Sequence, residues 1–411
     1  MGKLLACLAL LAASVSGDSV ADRRSDLTAL ADALRAHHPE LRCGPDRESF
    51  DQRVTQLANE LPDLSRDAFI VGMARVIAPL HDGHTQLGLS WDDAIGFRRY
   101  PISLYVFADG IHVRATTPAL RDLAGARVVS IEGMPIDHVV ERMRPIIHGD
   151  NESTFIDVLP SRLVLAEVLK AVGVAKSSEQ AEFAFAVQDG RIVSRRLTPL
   201  PRSVTFDAID ARDASQPLPL YRQHPEKPYW FEYVESSHMM YVQFNSVEND
   251  PTEPFVDFVR RVFAEVERRR IDRFVLDIRN NNGGDNTLNQ PLVHAVIRSD
   301  KVNKKGVLFT IIGRLTFSAA MNLAVDLERN TQTTFVGEPT GAAPNHFGET
   351  ARMRLPSSGI TLLYSTLFWQ SSDPRDERRS IEPAIMTPLR FSDYREGRDP
   401  ALAAILGISQ N

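Results

Sequence analysis

Cysteine and long hydrophobic runs are both scarce in this sequence. Its 411 residues include two cysteines, Cys7 and Cys43, which are too few for a disulfide framework. The apolar run at residues 4–13 is shorter than the roughly 20 residues that a membrane-spanning helix needs, and no other segment reaches that length. We therefore expect a protein with no integral membrane span.

Neither sign of charge dominates. Lys and Arg total 47 and Asp and Glu total 53, which gives a net charge of -6. An acidic total can hide a basic patch, but nothing in the sequence indicates a nucleic-acid partner, and we expect none. The glycine patterns GxGxxG and GxxxxGK[ST] are also missing, which argues against a nucleotide cradle. The hydrophobic content of 43% and the charged content of 24% are those of a soluble globular protein. The length predicts roughly two or three domains.

The N-terminus has the pattern of an export signal. A positive start at Lys3 is followed by the apolar run and then by small residues up to Gly17. We expect residues 1–21 to be a signal peptide, cleaved near Gly17 or Ala21, and the mature protein to be periplasmic or extracellular. A membrane anchor or a buried first helix is the alternative.

Hydrophobic spacing divides the rest of the chain into parts of different character. We expect a helical N-terminal domain at residues 22–97, a β-rich module at 98–202, a proline-rich linker at 203–228 and an αβ domain at 229–411. The predicted fold class is α/β, as an α+β multidomain chain, because strands and helices alternate in the last part.

One predicted strand of the last part ends in polar residues and glycines. The apolar run before Asp277 leads into Asn281, Gly283 and Gly284. Backbone N–H groups at the carboxyl end of such a strand can stabilise an oxyanion. The alternative is an ordinary polar turn.

Ser318 lies where the next strand and turn enter a predicted helix. Free N–H groups at a helix start favour an alkoxide and a neighbouring oxyanion. However, an N-cap is the commoner role of a serine at that position, and the spacing is not that of the G-x-S-x-G nucleophile elbow.

Two histidines, His81 and His84, follow the third predicted helix in the order His-Asp-Gly-His-Thr. Two histidines at this spacing suit a metal site, but the sequence has no HExxH pattern and no obvious third ligand. The other possibilities are a structural histidine and a general base, for which His84 is the candidate.

Taken in chain order, these motifs resemble those of the C-terminal processing (tail-specific) and tricorn-type serine peptidases. The order is Asp-Gly-His-Thr, Leu-Asp-Ile-Arg-Asn-Asn-x-Gly-Gly, Phe-Ser-Ala-Ala, Val-Gly-Glu-Pro-Thr-Gly and, near the end, Ile-Glu-Pro-Ala-Ile. The resemblance implies a ClpP/crotonase-like αβ core, a helical N-terminal part and a PDZ-like module at residues 98–202. It also implies Ser318 as the nucleophile and oxyanion donors on the backbone of Gly283, Gly284 and Ala319.

The base is where this sequence departs from part of the family. The tail-specific branch uses a lysine after the serine, but no lysine follows Lys305, so a Ser–Lys dyad on that pattern is excluded. The tricorn-type branch uses a histidine from the early helical part, which matches His84. His346, in a loop where the lysine would roughly fall, is the alternative base. His84 is preferred because its whole four-residue motif matches.

The tricorn-type branch also carries a glutamate near the end, which matches Glu377. A carboxylate would fix the tautomer of the histidine and stabilise its cation. Asp376 is the neighbouring alternative, and Asp82 stands beside His84 in the sequence. The charged segment around Glu377 is equally compatible with a solvated loop.

We therefore expect an exported serine peptidase that acts through an acyl-enzyme with Ser318, His84 and Glu377 and needs no metal or organic cofactor. Its expected partner is a peptide or protein substrate. Two other classes remain open. One is a non-catalytic protein that binds peptides or lipids on the same fold, and the other is a metal-dependent hydrolase that uses His81 and His84.

Overall fold

The computed structural model describes residues 18–205 and 207–408. The apolar run and most of the predicted signal peptide at residues 1–21 lie outside the described residues, so the signal remains a prediction. In the described residues, no helix is both long and apolar enough to cross a bilayer.

The N-terminal part is helical. Its helices are α1 (Val20–His37), α2 (Pro39–Cys43), α3 (Arg47–Glu60) and α4 (Arg66–Ile77), followed by a 3-10 turn at Ala78–Leu80. The side chain of Ser19 caps α1 by accepting the N–H of Asp22. Leu27, Leu30 and Leu34 lie on one face of α1 and are buried in the core, as their spacing predicts.

The middle part is a β-rich module. After the short strand β1 (Gln86–Leu87), its elements are β2 (Ile102–Phe107), β3 (Gly110–Thr116), β4 (Arg127–Ile131), β5 (Met134–Pro135), α5 (Ile136–Met143), α6 (Glu152–Leu163), α7 (Ala166–Ala171), β6 (Ala181–Ala186), β7 (Ile192–Leu197) and β8 (Ile209–Asp210). The sheet runs in the order β2-β3-β4-β6-β7, with β5 beside β4 and β8 beside β3. Ala181, Phe183 and Phe185 are buried while their neighbours on β6 are half-buried, so one face of this sheet covers a core.

The last part alternates strands and helices. Its elements are β9 (Tyr229–Val234), β10 (Met239–Phe244), α8 (Phe255–Arg268), β11 (Arg273–Asp277), α9 (Gln290–Arg298), β12 (Leu308–Ile312), α10 (Ala319–Asn330), β13 (Thr334–Gly337), β14 (Asn345–Arg354), β15 (Thr361–Gln370), β16 (Ile385–Met386), α11 (Phe391–Arg395) and α12 (Pro400–Leu406). The main sheet has the order β16-β13-β12-β11-β10-β9, and all neighbours except β10 and β9 are parallel.

Apolar side chains cover both faces of the main sheet. Every residue of β10, β11 and β12 is buried, which is typical of central strands in a parallel sheet. On one face, Phe274 and Leu276 pack with α8, α9 and α10. On the other face, Val275 and Ile311 pack with α12. Two separate layers of helices therefore cover the sheet. We call the side of Phe274 and Leu276 the α10 face and the side of Val275 and Ile311 the α12 face.

The hairpin β14–β15 connects the last part of the chain to the first. β15 pairs with β1, and the hairpin residues Leu355, Ile360 and Leu362 belong to the same core as the N-terminal helices and the β-rich module. His346 lies on β14, opposite Trp369 of β15. The prediction that His346 lies in a loop is therefore wrong, because pairing with β15 extends this segment into a strand.

The predicted mixed architecture is confirmed: helices come first, a β-rich module follows, and a layered αβ part ends the chain. Residues 203–205 and 207–228 carry little regular structure beyond β8 and a 3-10 turn at Leu220–Arg222. The domain boundaries themselves remain predictions.

Candidate active site

Ser318 occupies a strained position at the start of α10. Its φ of 52° and ψ of -125° lie in a region that residues other than glycine rarely adopt. It stands at the N-cap position, yet its side chain makes no cap hydrogen bond. The hydroxyl has no hydrogen-bond partner among the described residues, and the residue is half-buried. Capping therefore does not account for this serine, and strain of this kind clusters at functional sites.

Thr316 fixes the turn that leads to Ser318. Its hydroxyl donates to the carbonyl of Ile278 and accepts the N–H of Gly313, each at 3.0 Å. The N–H of Phe317 donates to the carbonyl of Asn281 at 3.2 Å. These bonds join the loops after β11 and β12, so the serine and the glycine segment meet at the carboxyl edge of the sheet.

Gly283 packs directly against Ser318. A Cβ added at Gly283 would lie 2.6 Å from the Cβ of Ser318 and 3.0 Å from the backbone nitrogen of Ala319. The φ of Gly283 is 103°, so both the space and the backbone conformation require glycine. The close approach brings this glycine loop to the N-terminus of α10.

The three predicted oxyanion donors differ in their bonding. The N–H of Gly283 already donates to the side-chain oxygen of Asn281 at 2.9 Å. The N–H groups of Gly284 and Ala319 have no acceptor anywhere in residues 18–205 and 207–408. The N–H of Gly284 comes from the glycine loop after β11, and that of Ala319 comes from the start of α10. Both are therefore available to a negatively charged oxygen.

His84 lies beside the serine turn. Its ring packs on that of Phe317 with the centroids 4.4 Å apart, and it faces the ring of His346 in parallel at 6.1 Å. The side chain of His84 is 10% exposed. A Cβ on Gly83 would lie 2.6 Å from the ring of Phe317, so a glycine before His84 allows the two segments to approach.

Asp82 is the carboxylate next to His84. Its Oδ1 lies 3.7 Å from Nδ1 of His84, which is an ion-pair separation rather than a hydrogen bond. Oδ1 also accepts the backbone N–H of His84, and Oδ2 contacts Nε2 of His38 at 3.1 Å and accepts the hydroxyl of Thr85. Asp82 and His38 are fully buried.

The charge of Asp82 is stabilised from several sides. Burial opposes ionisation, but the hydrogen bond with His38 and the interaction with His84 outweigh it and hold the pKa of Asp82 well below its usual range. Nδ1 of His84 has no hydrogen-bond partner among the described residues. Asp82 therefore places a negative charge beside Nδ1 of His84, a nitrogen that no other described group engages.

Glu377 is not brought to His84. It is exposed, it makes no hydrogen bond or ion pair among the described residues, and it lines a cavity of about 620 Å³ together with Asp376, Asp150 and His346. Asp376 bonds Arg378 and Ser372, and the bond from Arg378 outweighs burial and lowers the pKa of Asp376. Neither Glu377 nor Asp376 contacts His84 in this structure.

His346 differs from His84 in its surroundings. It is 3% exposed, and its Nδ1 contacts the carbonyl of Ala343 at 3.0 Å. Burial, with a smaller contribution from His84, lowers the pKa of His346 to about 4. His346 is therefore neutral at physiological pH and stands as a buried neighbour of His84.

Asp150 is a functional-site neighbour that the sequence analysis did not identify. It is 5% exposed and accepts the N–H of Gly83 at 2.7 Å and that of Ala343 at 3.3 Å, so it joins the loop that carries His84 to the segment that precedes His346 on β14. Burial and the charge of Asp82 raise the pKa of Asp150 to about 7. Nothing local in the sequence marks Asp150 or His38, because their contacts join segments that are far apart in the chain.

The alternative of a metal-dependent hydrolase that uses His81 and His84 finds no preformed metal site among the described residues. His81 has a φ of 51° and is exposed. Among residues 18–205 and 207–408, no group of three or more His, Cys, Asp or Glu side chains is arranged to hold a metal ion.

Comparison with solved structures identifies a known fold. Mature CPAF complexed with lactacystin matches over 94% of this chain and 98% of that chain, at 13% sequence identity and a TM-score of 0.66. The chain has the CPAF fold. A second structure of mature CPAF gives a TM-score of 0.65 at 13% identity, over 94% of this chain and 96% of that chain.

The CPAF fold spans nearly the whole of both chains, so the predicted resemblance is confirmed at the level of the fold. The photosystem II D1 C-terminal processing protease matches over 93% of this chain and 96% of that chain, with 14% identity and a TM-score of 0.42. No family model matches the sequence, and no curated protein matches it. A shared fold at 13% identity does not establish which reaction this chain performs. The reaction is therefore inferred from the residues described above.

Proposed function

We propose that this chain is a serine peptidase that hydrolyses peptide bonds through an acyl-enzyme on Ser318. The observation that carries the proposal is the strained, half-buried Ser318, whose hydroxyl does not cap its helix. The unbonded N–H groups of Gly284 and Ala319 and the nearby ring of His84 support it. The order of the sequence motifs favours a peptidase over other hydrolases.

His84 is the proposed general base. A neutral imidazole removes the proton of the Ser318 hydroxyl as the oxygen attacks the scissile carbonyl, and the resulting imidazolium donates that proton to the leaving amine. Water then attacks the acyl-enzyme with the same assistance and releases the second product. The N–H groups of Gly284 and Ala319 are the proposed donors to the oxyanion.

Asp82 is the proposed carboxylate partner of His84. Its distance of 3.7 Å from Nδ1, its full burial and its low pKa suit a group that stabilises an imidazolium. A contraction of less than 1 Å would make a hydrogen bond, and catalytic hydrogen bonds are often long before substrate binds. Glu377, the carboxylate expected from the resemblance, remains the second candidate, and its surface segment would have to move.

Export is a further part of the proposal. It rests on the positive start, apolar run and small residues at the N-terminus. The N-terminal sequence of the mature protein, recovered from the producing cells, would test it.

The test of the peptidase proposal is the formation of new peptide ends. The protein is incubated with an unfolded protein substrate in water enriched in ¹⁸O, and the products are analysed by mass spectrometry. We expect new C-terminal carboxylates that carry the label with the parent protein and none with the Ser318→Ala variant. If the parent protein binds the substrate without cleaving it, the non-catalytic alternative is favoured instead.

A further inference from the structure

A second cavity lies at the carboxyl edge of the main sheet. It has a volume of about 360 Å³ and is bordered by Ile311 and Ala401, which belong to the α12 face, and by Ile312, which belongs to the α10 face. Ala319, next to the nucleophile, belongs to the α10 face. Neither Ser318 nor His84 borders this cavity, which is therefore distinct from the candidate active site. It opens at the carboxyl ends of β11, β12 and β13, where open α/β sheets bind ligands.

Arginine side chains stacked on tyrosine rings form much of its wall. The guanidinium of Arg222 lies 4.8 Å from the ring centre of Tyr394. The guanidinium groups of Arg314 and Arg114 lie 5.2 Å and 5.8 Å from the ring centre of Tyr105. Stacking holds the planar guanidinium in one orientation, so its N–H groups are positioned before a ligand arrives.

These arginines are not equally paired. Arg314 is satisfied by Glu338 at 2.9 Å and by the carbonyl of Val106 at 2.7 Å. Arg222 bonds Asp210 through Nη2, whereas its Nη1 is buried and has no partner among the described residues. The side chain of Arg114 contacts the ring of Tyr105 but makes no hydrogen bond or ion pair within residues 18–205 and 207–408. Two guanidinium groups therefore have N–H donors to spare.

Two further polar side chains in this wall lack partners in the described part of the chain. The hydroxyl of Thr387 is buried and makes no hydrogen bond. The carboxyl group of Asp157 also makes none, and burial raises its pKa, although the charges of Arg314 and Arg114 oppose the increase. A buried hydroxyl without a partner, as at Thr387, is rare in folded proteins, because it leaves a desolvation cost uncompensated. The Asp157 carboxyl is half-buried and lines the cavity.

We propose that this cavity binds a small organic acid that has a carboxylate and, next to it, a hydroxyl or ammonium group. The carboxylate accepts from Arg222 and Arg114, which offer the fork geometry that carboxylates bind best. The neighbouring donor bonds Asp157, and the body of the ligand packs on the tyrosine rings. The volume is in the lower part of the range of small-molecule sites.

Calorimetric titration of the full chain tests this proposal without using catalysis. The probes are phenyllactate, phenylpropionate without the hydroxyl, phenyllactamide without the carboxylate, and inorganic phosphate. We expect saturable one-to-one binding of phenyllactate, and at least about tenfold weaker binding of the amide and of phosphate. Arg222→Gln and Arg114→Gln should each weaken phenyllactate binding by at least about tenfold.

Two control variants sharpen the result. Arg121→Gln changes an exposed arginine outside the cavity and should leave binding unchanged. Asp157→Asn should remove the preference for phenyllactate over phenylpropionate. Arg114 is exposed and makes no hydrogen bond in the described part of the chain, so its variant keeps the test valid if Arg222→Gln does not fold. The proposal is overturned if the parent protein does not bind phenyllactate below about 10 mM, if both arginine variants bind it unchanged, or if the amide or phosphate binds as well.

Discussion

Phe317 packs its ring on the imidazole of His84, with the ring centroids 4.4 Å apart and an interplanar angle of 31°. Phe317 immediately precedes the strained Ser318, and His84 comes from the loop that follows the N-terminal helices. One side chain therefore sets the position of the turn that carries the proposed nucleophile relative to the proposed base. The active site depends on the docking of the first part of the chain onto the last.

Replacing Ser318 separates catalysis from helix capping. Because its hydroxyl makes no cap bond, Ser318→Ala should abolish hydrolysis and leave the free energy of unfolding within about 0.5 kcal/mol of the parent value. The matched control is Ser65→Ala, since the Ser65 side chain caps α4 by accepting the N–H of Ala68. That variant should lose about 1 kcal/mol and keep its activity. Urea unfolding and peptide hydrolysis measure the two quantities, and an active Ser318→Ala variant would refute the nucleophile.

The two histidines should respond differently to substitution. His84→Gln should lower kcat by orders of magnitude, because it removes the proposed base. His346→Gln should retain most of the activity. The pH profile gives an independent check, because burial and the nearby His84 lower the pKa of His346 to about 4. A rate that stays constant on acidification until about pH 4 would indicate that His346 is the base and that the assignment of His84 is wrong.

The carboxylate partner can be assigned by comparing two substitutions. Asp82→Asn should lower kcat by about 10²- to 10⁴-fold with little change in KM, because the lost charge acts on the imidazolium in the transition state. Glu377→Gln should be mild, since Glu377 is exposed and does not contact His84. Circular dichroism should confirm that the Asp82 variant is folded. A severe Glu377 variant beside a mild Asp82 variant would instead assign the role to the glutamate of the resemblance.

Gly283 should tolerate no side chain. In Gly283→Ala the new Cβ would meet Cβ of Ser318 at 2.6 Å, and the residue would keep an unfavourable φ near 103°. Activity should be lost, and stability should fall by about 1–3 kcal/mol or more. Gly306→Ala is the control, because Gly306 also has a positive φ of 80° but a Cβ there meets nothing within 4 Å. It should be destabilised by its φ alone and remain active. Equal activity in the two variants would contradict the role given to the glycine loop.

The central strands and the start of α10 were predictable from the sequence because their signals are local. β11 and β12 are short and mainly apolar, as parallel strands with two buried faces require, and the turn to Ser318 follows β12 directly. The burial of Asp82 was not predictable. An aspartate after a helix usually lies in solvent, and the partner that buries this one, His38, comes from another segment.

The hairpin β14–β15 was also missed, and the error about His346 follows from it. Pro344 and Asn345 read as loop signals, whereas the pairing of His346 with Trp369 across the hairpin is a non-local interaction. The position of Glu377 in the motif order suggested a catalytic acid. Its neighbour Asp376 is instead tied to Arg378 by an ion pair, and Glu377 remains at the surface.

Covalent labelling by a fluorophosphonate, followed by intact-mass measurement and peptide mapping, tests the central claim most directly. The reagent phosphonylates a serine only where a base and oxyanion donors activate it. We predict one adduct on the parent protein at Ser318, no adduct on Ser318→Ala, and much slower labelling of His84→Gln. A parent protein that remains unlabelled, or a Ser318→Ala variant that is labelled as fast as the parent, would contradict the assignment of Ser318 as an activated nucleophile.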